Sequence, residues 1–287
     1  MKNCAFLTMD REDGFVIDDA LAHEPLAELG WRVSPLSWKQ TGIPWNDFDA
    51  VIIRSTWDYP EDVNFFLEVL EEISSVSSLA NPMSLVRWNL AKTYLRDLEH
   101  QGIRLVPTTW ANKIDEASLM ACHGLFNSDE IVVKPVIGAN GEDTFRISDS
   151  GSARDLSDII KRFQGRACMV QRFMPDILTE GEYSLFYFGC EFSHAILKTP
   201  AASEFRSQEE RGARIQSVVP EELLLVRGQQ VLNTITPAPL YARIDFVRDA
   251  EGEFVVMELE LIEPSLYLRM HPLASARFAR AIDNWFG

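Results

Sequence analysis

The segment YARIDFVRDAEGEFVVMELELIEPS, residues 241–265, constrains the fold more than any other. Two runs alternate apolar and polar residues, the period of a strand with two unlike faces. Between them Asp249, Ala250, Glu251 and Gly252 read as a tight turn in which Gly252 can take a positive φ. The chain must fold back here as an antiparallel hairpin. With the turn centred on Ala250 and Glu251, Arg243 lies opposite Glu258 and Asp245 opposite Val256, so Asp245 is diagonal to Glu258. Ala242, Ile244 and Phe246 share one face; Tyr241, Arg243 and Asp245 share the other. On the return strand Val255, Met257, Leu259 and Leu261 form one face and Val256, Glu258 and Glu260 the other.

Arg243, Asp245, Glu258 and Glu260 therefore converge on one face. Three carboxylates so close repel one another unless a cation neutralises them, and an all-oxygen set suits Mg²⁺. Alternating glutamates are, taken alone, equally the solvated face of an antiparallel sheet. Two features favour a site. Arg243 stands among the acids as a phosphate or carboxylate partner would. The strand also runs on into Glu263, Pro264 and Ser265, a rigid turn carrying more polar atoms to the same end.

A second feature is VVKPVIGANGED, residues 132–143. A strand delivers Lys134 to the start of a loop made of Gly138, Ala139, Asn140 and Gly141. Such a loop is built to sit close to something. It is neither of the two common phosphate fingerprints, because the chain holds no GxxxxGK[ST] and no GxGxxG.

Around these features the rest of the chain falls into order. Strands over 4–9, 31–36 and 50–54 alternate with helices over 17–29, closing at Gly30, and 61–74, as in a parallel sheet with flanking helices. Asn81-Pro82 marks a boundary, and a helix over 85–100 follows, ending at Gly102. Strands over 131–136, 144–147 and 168–172 accompany a helix over 153–163 capped by Ser152. A longer antiparallel set follows, over 182–188, 191–198, 215–219, 241–248 and 253–261, with helices over 220–235 and 272–286. The reading is α+β in three lobes: residues 1–85, 86–177 and 178–287.

Bulk properties narrow the function classes. The 287 residues are 46% apolar, enough for a sizeable core, and no apolar run reaches the roughly 20 residues of a membrane span. A net charge of −16 repels nucleic acid and anionic membranes. The N-terminus reads as a first strand rather than a signal peptide, which places the protein in the cytoplasm. Cys4, Cys122, Cys168 and Cys190 are far apart and read as buried, reduced thiols. The histidines show no metal spacing, and no GxSxG supports a hydrolase.

A lysine in VVKP, a glycine-rich flap and a late pair of acids before a proline, in that order, resemble the ATP-grasp ligases along the whole chain. The strings IRSTWDYPED, VRWNLAKTYLRDL, LKTPAASEFRSQEERG and ELELIEPSLYL resemble, within that family, the O-ureidoserine cyclo-ligase group that makes cycloserine. They are also similar to bacterial glutathione synthetases and ribosomal-protein glutamate ligases. Glu260 stands where most of the family has Asn, a mark of the subgroup.

The resemblance implies an ATP-grasp fold in which two α+β lobes clamp ATP beside a parallel N-terminal lobe. It implies that Lys92 and Lys134 contact the phosphates and that Gly138, Ala139, Asn140 and Gly141 cover them. Gln171, Phe173 and Met174 would line the adenine slot, Glu182 would take the ribose, and Asp245, Glu258 and Glu260 would hold two Mg²⁺. Arg243 and Arg206, with Lys134, would serve the chemistry. Substrate contacts would come from Arg54, Ser55, Trp57, Asp58, Lys198, Arg206, Arg214 and Ser265, with Ser55 and Asp58 suited to an amino group. The implied reaction is ATP-dependent activation of a small carboxylate for attack by an amine, with no nucleic-acid or membrane partner and a homodimer left open. A small-molecule kinase of the same fold, or a nucleotide-binding relative without catalysis, stays open at this point.

Overall fold

Each run of strands closes into its own sheet in the computed structural model, which describes residues 1–151 and 153–287. The first contains β1 (Lys2–Thr8), β2 (Trp31–Ser37), β3 (Ala50–Ser55) and β4 (Leu79–Ala80), in the order β2-β1-β3-β4. All its pairings are parallel, as the strand–helix alternation predicts. β3 is buried along its whole length because both faces of the sheet are covered. Helix Val63–Val76 packs Phe66, Leu70 and Ile73 on one face. Helix Ala274–Phe286, at the far end of the chain, packs Phe278 and Ile282 on the other.

The second sheet contains β5 (Thr108–Ala111), β6 (Glu130–Pro135), β7 (Phe145–Ser148) and β8 (Cys168–Arg172), in the order β5-β8-β6-β7, all antiparallel. Helices Glu116–Phe126 and Ala153–Arg162 cover one face. The sequence reading missed β5 and helix Glu116–Phe126. The helix spreads its apolar residues around the axis, so its period is weak, and its N-terminus is held by a reciprocal cap between Asp115 and Ser118. The expected Ser152 cap lies outside the described residues.

The third sheet contains β9 (Glu182–Phe188), β10 (Glu191–Thr199), β11 (Arg214–Val218), β12 (Tyr241–Arg248) and β13 (Phe254–Glu260). Its order is β11-β10-β9-β12-β13, antiparallel throughout. Helix Ala274–Phe286 shares one core with this sheet and the first, joining Phe186, Phe188 and Tyr241 to Phe6 and Ile52. Among the described residues no helix is long and apolar enough to cross a membrane. All four cysteines are free thiols, and Cys4, Cys122 and Cys168 are buried.

Two local corrections bear on the site. The helix expected over 85–100 is two helices, Met83–Asn89 and Tyr94–His100, and the break between them carries Lys92. The Lys92 N–H leaves the helical ladder and donates to Val136 O at 2.9 Å, tying the break to the end of β6. Likewise, the helix expected over 17–29 is a 3₁₀ turn, Asp19–Ala22, and one short α-helix, His23–Glu28.

The hairpin forms as expected, but its register differs. Val247 pairs with Val255 and Phe246 with Val256, after which a β-bulge at Met257 brings Asp245 opposite Glu258 and Arg243 opposite Glu260. An extra residue on one strand reverses which face its neighbours occupy. Val256 therefore joins Leu259 and Leu261 in the core under the sheet. Met257 instead packs with Val255 and Val247 above it.

β13 is an edge strand, and an unpaired edge leaves backbone groups without partners. Here the backbone of Arg104 and Val106 serves Val256, and side chains serve the groups beyond it. The Tyr94 hydroxyl accepts from Leu259 N–H at 2.9 Å, and the Asn89 amide donates to Leu259 O and accepts from Leu261 N–H at 2.9 and 2.8 Å. Asn81 donates to Leu261 O at 2.7 Å. These bonds fix the backbone from which Glu258 and Glu260 project.

Candidate active site

The third sheet forms the floor of a cleft, and its row of charges is set by strand register. Lys198 lies opposite Glu182, Ser184 opposite Asp245, Asp245 opposite Glu258 and Arg243 opposite Glu260. Lys198 pairs with Glu182 and, at 3.4 Å, with Asp245. Arg243 donates to both Asp245 oxygens from 3.0 to 3.2 Å and also binds Glu260. Ser184 donates to Asp245, and Ser207 donates to Glu182 at 2.8 Å.

The second sheet and the helix break form the roof. Lys134 projects from β6, and its ammonium has no ion-pair or hydrogen-bond partner among the described residues. Lys92 pairs with Glu258 and donates to Gly138 O at 3.2 Å. The flap lies over this group. A Cβ at Gly138 would sit 3.0 Å from the Pro135 ring, and one at Gly141, where φ is +62°, would sit 2.8 Å from Gln208 Oε1. Arg206 donates to Gly141 O at 3.2 Å, and Arg211 donates to Asn140 O at 3.3 and 3.4 Å, so the flap rests on the loop after β10.

Gln171, Phe173 and Met174 are buried and line the cleft. Counting the part that opens to solvent, the cleft encloses about 1570 Å³.

Burial and crowding of charge shape the acids differently. Burial opposes ionisation of Glu258, but the Lys92 and Lys134 ammoniums outweigh it and hold its carboxyl below the ordinary value. Asp245 is held low in the same way, burial being outweighed by Arg243 and Lys198. At Glu260 burial prevails over Arg243, reinforced by Glu258 and Asp245, and the carboxyl is pushed up to about 7. Glu263 goes further, to about 8, through burial and then the charge of Glu260. Burial lowers the Lys134 ammonium, and Lys92 adds to this against the pull of Glu258.

Among the described residues no group of three or more His, Cys, Asp or Glu is arranged to hold a metal ion. The acids turn to Lys92 and Arg243 instead. The donor set nevertheless fits Mg²⁺. Asp245, Glu258 and Glu260 are oxygen donors carried on adjacent strands, the donor type that Mg²⁺ takes.

A pH dependence follows. Glu260 and Glu263 keep their protons to higher pH folded than unfolded, where the ordinary value is 4.5. Their contribution to stability is complete below that value and is lost as pH rises through about 7 and about 8. His194, which burial holds down at about 4, acts oppositely, but only below 6.5. In Mg²⁺-free buffer the unfolding free energy should therefore fall by on the order of 1–2 kcal/mol between about pH 6.5 and pH 8. Urea midpoints across this window test it; a flat profile would contradict the two raised carboxyls.

The expected substrate residues divide. Trp57, Lys198, Arg206 and Ser265 line the cleft; Arg54, Ser55, Asp58 and Arg214 do not. Arg54 is buried under the first sheet, paired with Asp19 at 3.0 Å and donating to Pro264 O at 3.0 Å. Ser55 is buried, and its hydroxyl is directed at Glu12. Asp58 accepts from the Trp38 indole at 2.6 Å and pairs with Lys39. Arg214 is exposed on the edge strand β11. Arg54, Ser55 and Asp58 are expected there from their position at a strand end, and Arg214 from its place beside Glu209 and Glu210; neither signal tells which partners claim a side chain. Tyr59, Tyr267 and Glu263 also line the cleft, and the sequence reading assigned them no role. Only Glu263 carried a signal, its place in the polar turn after β13.

Comparison with known proteins agrees with this architecture. Residues 4–81 match the N-terminal domain of D-cycloserine synthetase DcsG, and residues 82–238 match the prokaryotic glutathione synthetase ATP-grasp domain. The chain is 31% identical over 276 residues to the cycloserine biosynthesis protein DcsG of Streptomyces lavendulae, covering 90% of each. It superposes on the crystal structure of D-cycloserine synthetase DcsG with a TM-score of 0.87, at 27% identity over 99% of this chain and 100% of that one. The D-alanine–D-alanine ligase of Bacillus anthracis shares the fold, with a TM-score of 0.70 at 12% identity, covering 100% of this chain and 97% of that one. Members of this family use ATP and Mg²⁺. With a match over more than half the chain and a relative of this similarity, the protein belongs to the ATP-grasp family and is an ATP-dependent carboxylate–amine ligase.

Proposed function

We propose that the protein activates the carboxyl group of a small amino acid as an acyl-phosphate and closes a ring onto a nitrogen of the same molecule, in cycloserine-type biosynthesis. The observation that carries this reading is the likeness to D-cycloserine synthetase over nearly the full length of both chains, first sheet included. A carboxylate oxygen takes the γ-phosphoryl group and ADP leaves. The nitrogen then attacks the carbonyl carbon and phosphate leaves.

Both reactants of the first step are anions, so positioning and charge neutralisation carry most of the catalysis. In this reading Lys92 and Lys134 grip the phosphates, and the missing protein partner of Lys134 supports its role as a point charge on phosphate oxygens. Backbone N–H groups of Gly138, Ala139, Asn140 and Gly141 approach the transferred group and exclude water, which would hydrolyse the acyl-phosphate. Gln171, Phe173 and Met174 hold the adenine and Glu182 the ribose. Arg243 faces the transferred phosphoryl group, and Arg206 takes the substrate carboxylate together with Lys198 and Ser265. Asp245, Glu258 and Glu260 would hold two Mg²⁺, which when bound neutralise charge on the phosphates and orient them.

The test is ADP release with ATP and Mg²⁺ across an amino-acid panel that includes O-ureidoserine of both hands, with product masses recorded. A cyclised mass from one substrate is expected. A product joining two molecules would replace ring closure by intermolecular ligation, and a phosphorylated product would replace it by a kinase.

A further inference from the structure

An amino-acid substrate brings an ammonium group, and the two residues expected to bind it, Ser55 and Asp58, are turned away from the cleft. Glu263 is in a position to take that part. It lies in the turn leaving β13, lines the cleft and is 8% exposed. The four acids that strands of the third sheet present to the cleft each have a protein cation: Glu182 has Lys198, Asp245 has Arg243 and Lys198, Glu258 has Lys92, and Glu260 has Arg243. Glu263 alone among these five has no Lys, Arg or His partner in the described residues. Its side-chain neighbour is the Tyr59 hydroxyl.

The turn is also held so that this carboxyl points inward. The Trp57 indole donates to Glu263 O at 2.7 Å, and Arg54 donates to Pro264 O at 3.0 Å. Two consecutive carbonyls are thus fixed from the first sheet. Arg54, which does not reach the cleft, acts through this turn as a positioning residue. A buried acid without a cation either keeps its proton or takes a cationic partner, and an incoming ammonium group supplies one. In an α-amino acid a single carbon separates the nitrogen from the carboxyl to be activated, so the ammonium anchor must stand close to the carboxylate row. Glu263 follows Glu260 by three positions along the chain.

We propose that Glu263 binds the α-ammonium group of an amino-acid substrate, with Tyr59 and Trp57 forming the wall beside it. The assignment rests on the reading of the cleft as a ligase site for an amino acid. Glu263 then selects amino acids over simple carboxylic acids, a discrimination that the metal-binding acids and lysines cannot make.

The experiment measures ADP release by wild type, Glu263→Gln and Glu263→Asp with O-ureidoserine and with its des-amino counterpart, 3-(ureidooxy)propanoate. If another amino acid proves to be the substrate, it and its des-amino acid take their place. Loss of a charge-assisted contact should raise KM for the amino acid by about 10- to 100-fold in Glu263→Gln. KM for ATP and the Mg²⁺ concentration dependence should stay as in wild type, and the two acids should become nearly equivalent. Glu263→Asp should restore part of the preference. Glu263→Gln with the wild-type preference intact would overturn the assignment, and so would a raised Mg²⁺ requirement, which would make Glu263 a metal ligand. Absence of ADP release by wild type with O-ureidoserine and with every proteinogenic amino acid of either hand would instead overturn the amino-acid reading of the cleft, and this assignment with it.

Discussion

In the roles proposed for them, Lys134→Ala and Glu258→Gln will each lower turnover by on the order of 10²-fold or more, because each removes charge from beside the transferring phosphoryl group. The two losses have different physical origins. Lys134 is a half-buried cleft cation without an ion-pair or hydrogen-bond partner among the described residues, so its removal would leave phosphate charge uncompensated. Glu258 is held ionised by Lys92 and Lys134 despite its burial. Its neutralisation frees Lys92 from its carboxylate and weakens the set that would hold Mg²⁺. Extra Mg²⁺ should therefore recover part of the Glu258→Gln loss and none of the Lys134→Ala loss. Steady-state ADP release over a range of Mg²⁺ concentrations separates them. Near-wild-type release in either variant would remove that residue from the site.

Asn81→Leu will destabilise the fold by roughly 3–9 kcal/mol, from three buried backbone groups that lose their partner at about 1–3 kcal/mol each. The Asn81 amide donates to Tyr241 O and Leu261 O at 3.0 and 2.7 Å and accepts from Leu240 N–H at 2.7 Å, with the side chain fully buried. Leucine keeps the branching of asparagine and leaves no cavity, but it is larger, so overpacking adds to the lost hydrogen bonds. The expected loss is a large fraction of the roughly 5–15 kcal/mol that holds a domain folded. Urea unfolding will show a lowered midpoint with an unchanged slope. A loss below about 1 kcal/mol would mean that water or rearranged backbone serves these groups. Activity should fall as well, since Leu261 immediately follows the strand carrying Glu258 and Glu260.

Much of the site was legible because strand alternation is a local rule. Arg243, Asp245, Glu258 and Glu260 were brought to one face by period alone, and that face is the floor of the cleft. The register was not legible. One bulge at Met257 changes which residue opposes Asp245 and sends Val256 to the other face, and a bulge depends on the fit of β13 to its neighbours rather than on composition. Lys92 is expected at the phosphates and does line the cleft, yet the periodicity places it inside a continuous helix. The break that aims it arises because its N–H finds Val136 O across the chain, a bond that no helical pattern reveals.

The N-terminal residues show the same division from the other side. Arg54, Ser55 and Asp58 stand at the carboxyl end of a parallel strand, a place where such sheets often bind ligands. Whether they do depends on competing partners, and Asp19, Pro264, Trp38 and Lys39 take them first. By itself the sequence determined the α+β class, the parallel first sheet, the hairpin and the identity of its charged face, since periodicity and turn chemistry are read within a few residues. Only the tertiary structure decided which charges are paired, which edge groups are served and which acid stands without a cation. Those outcomes turn on contacts between residues such as Asn81 and Leu261, or Arg54 and Pro264, which meet only when the first and third sheets pack together.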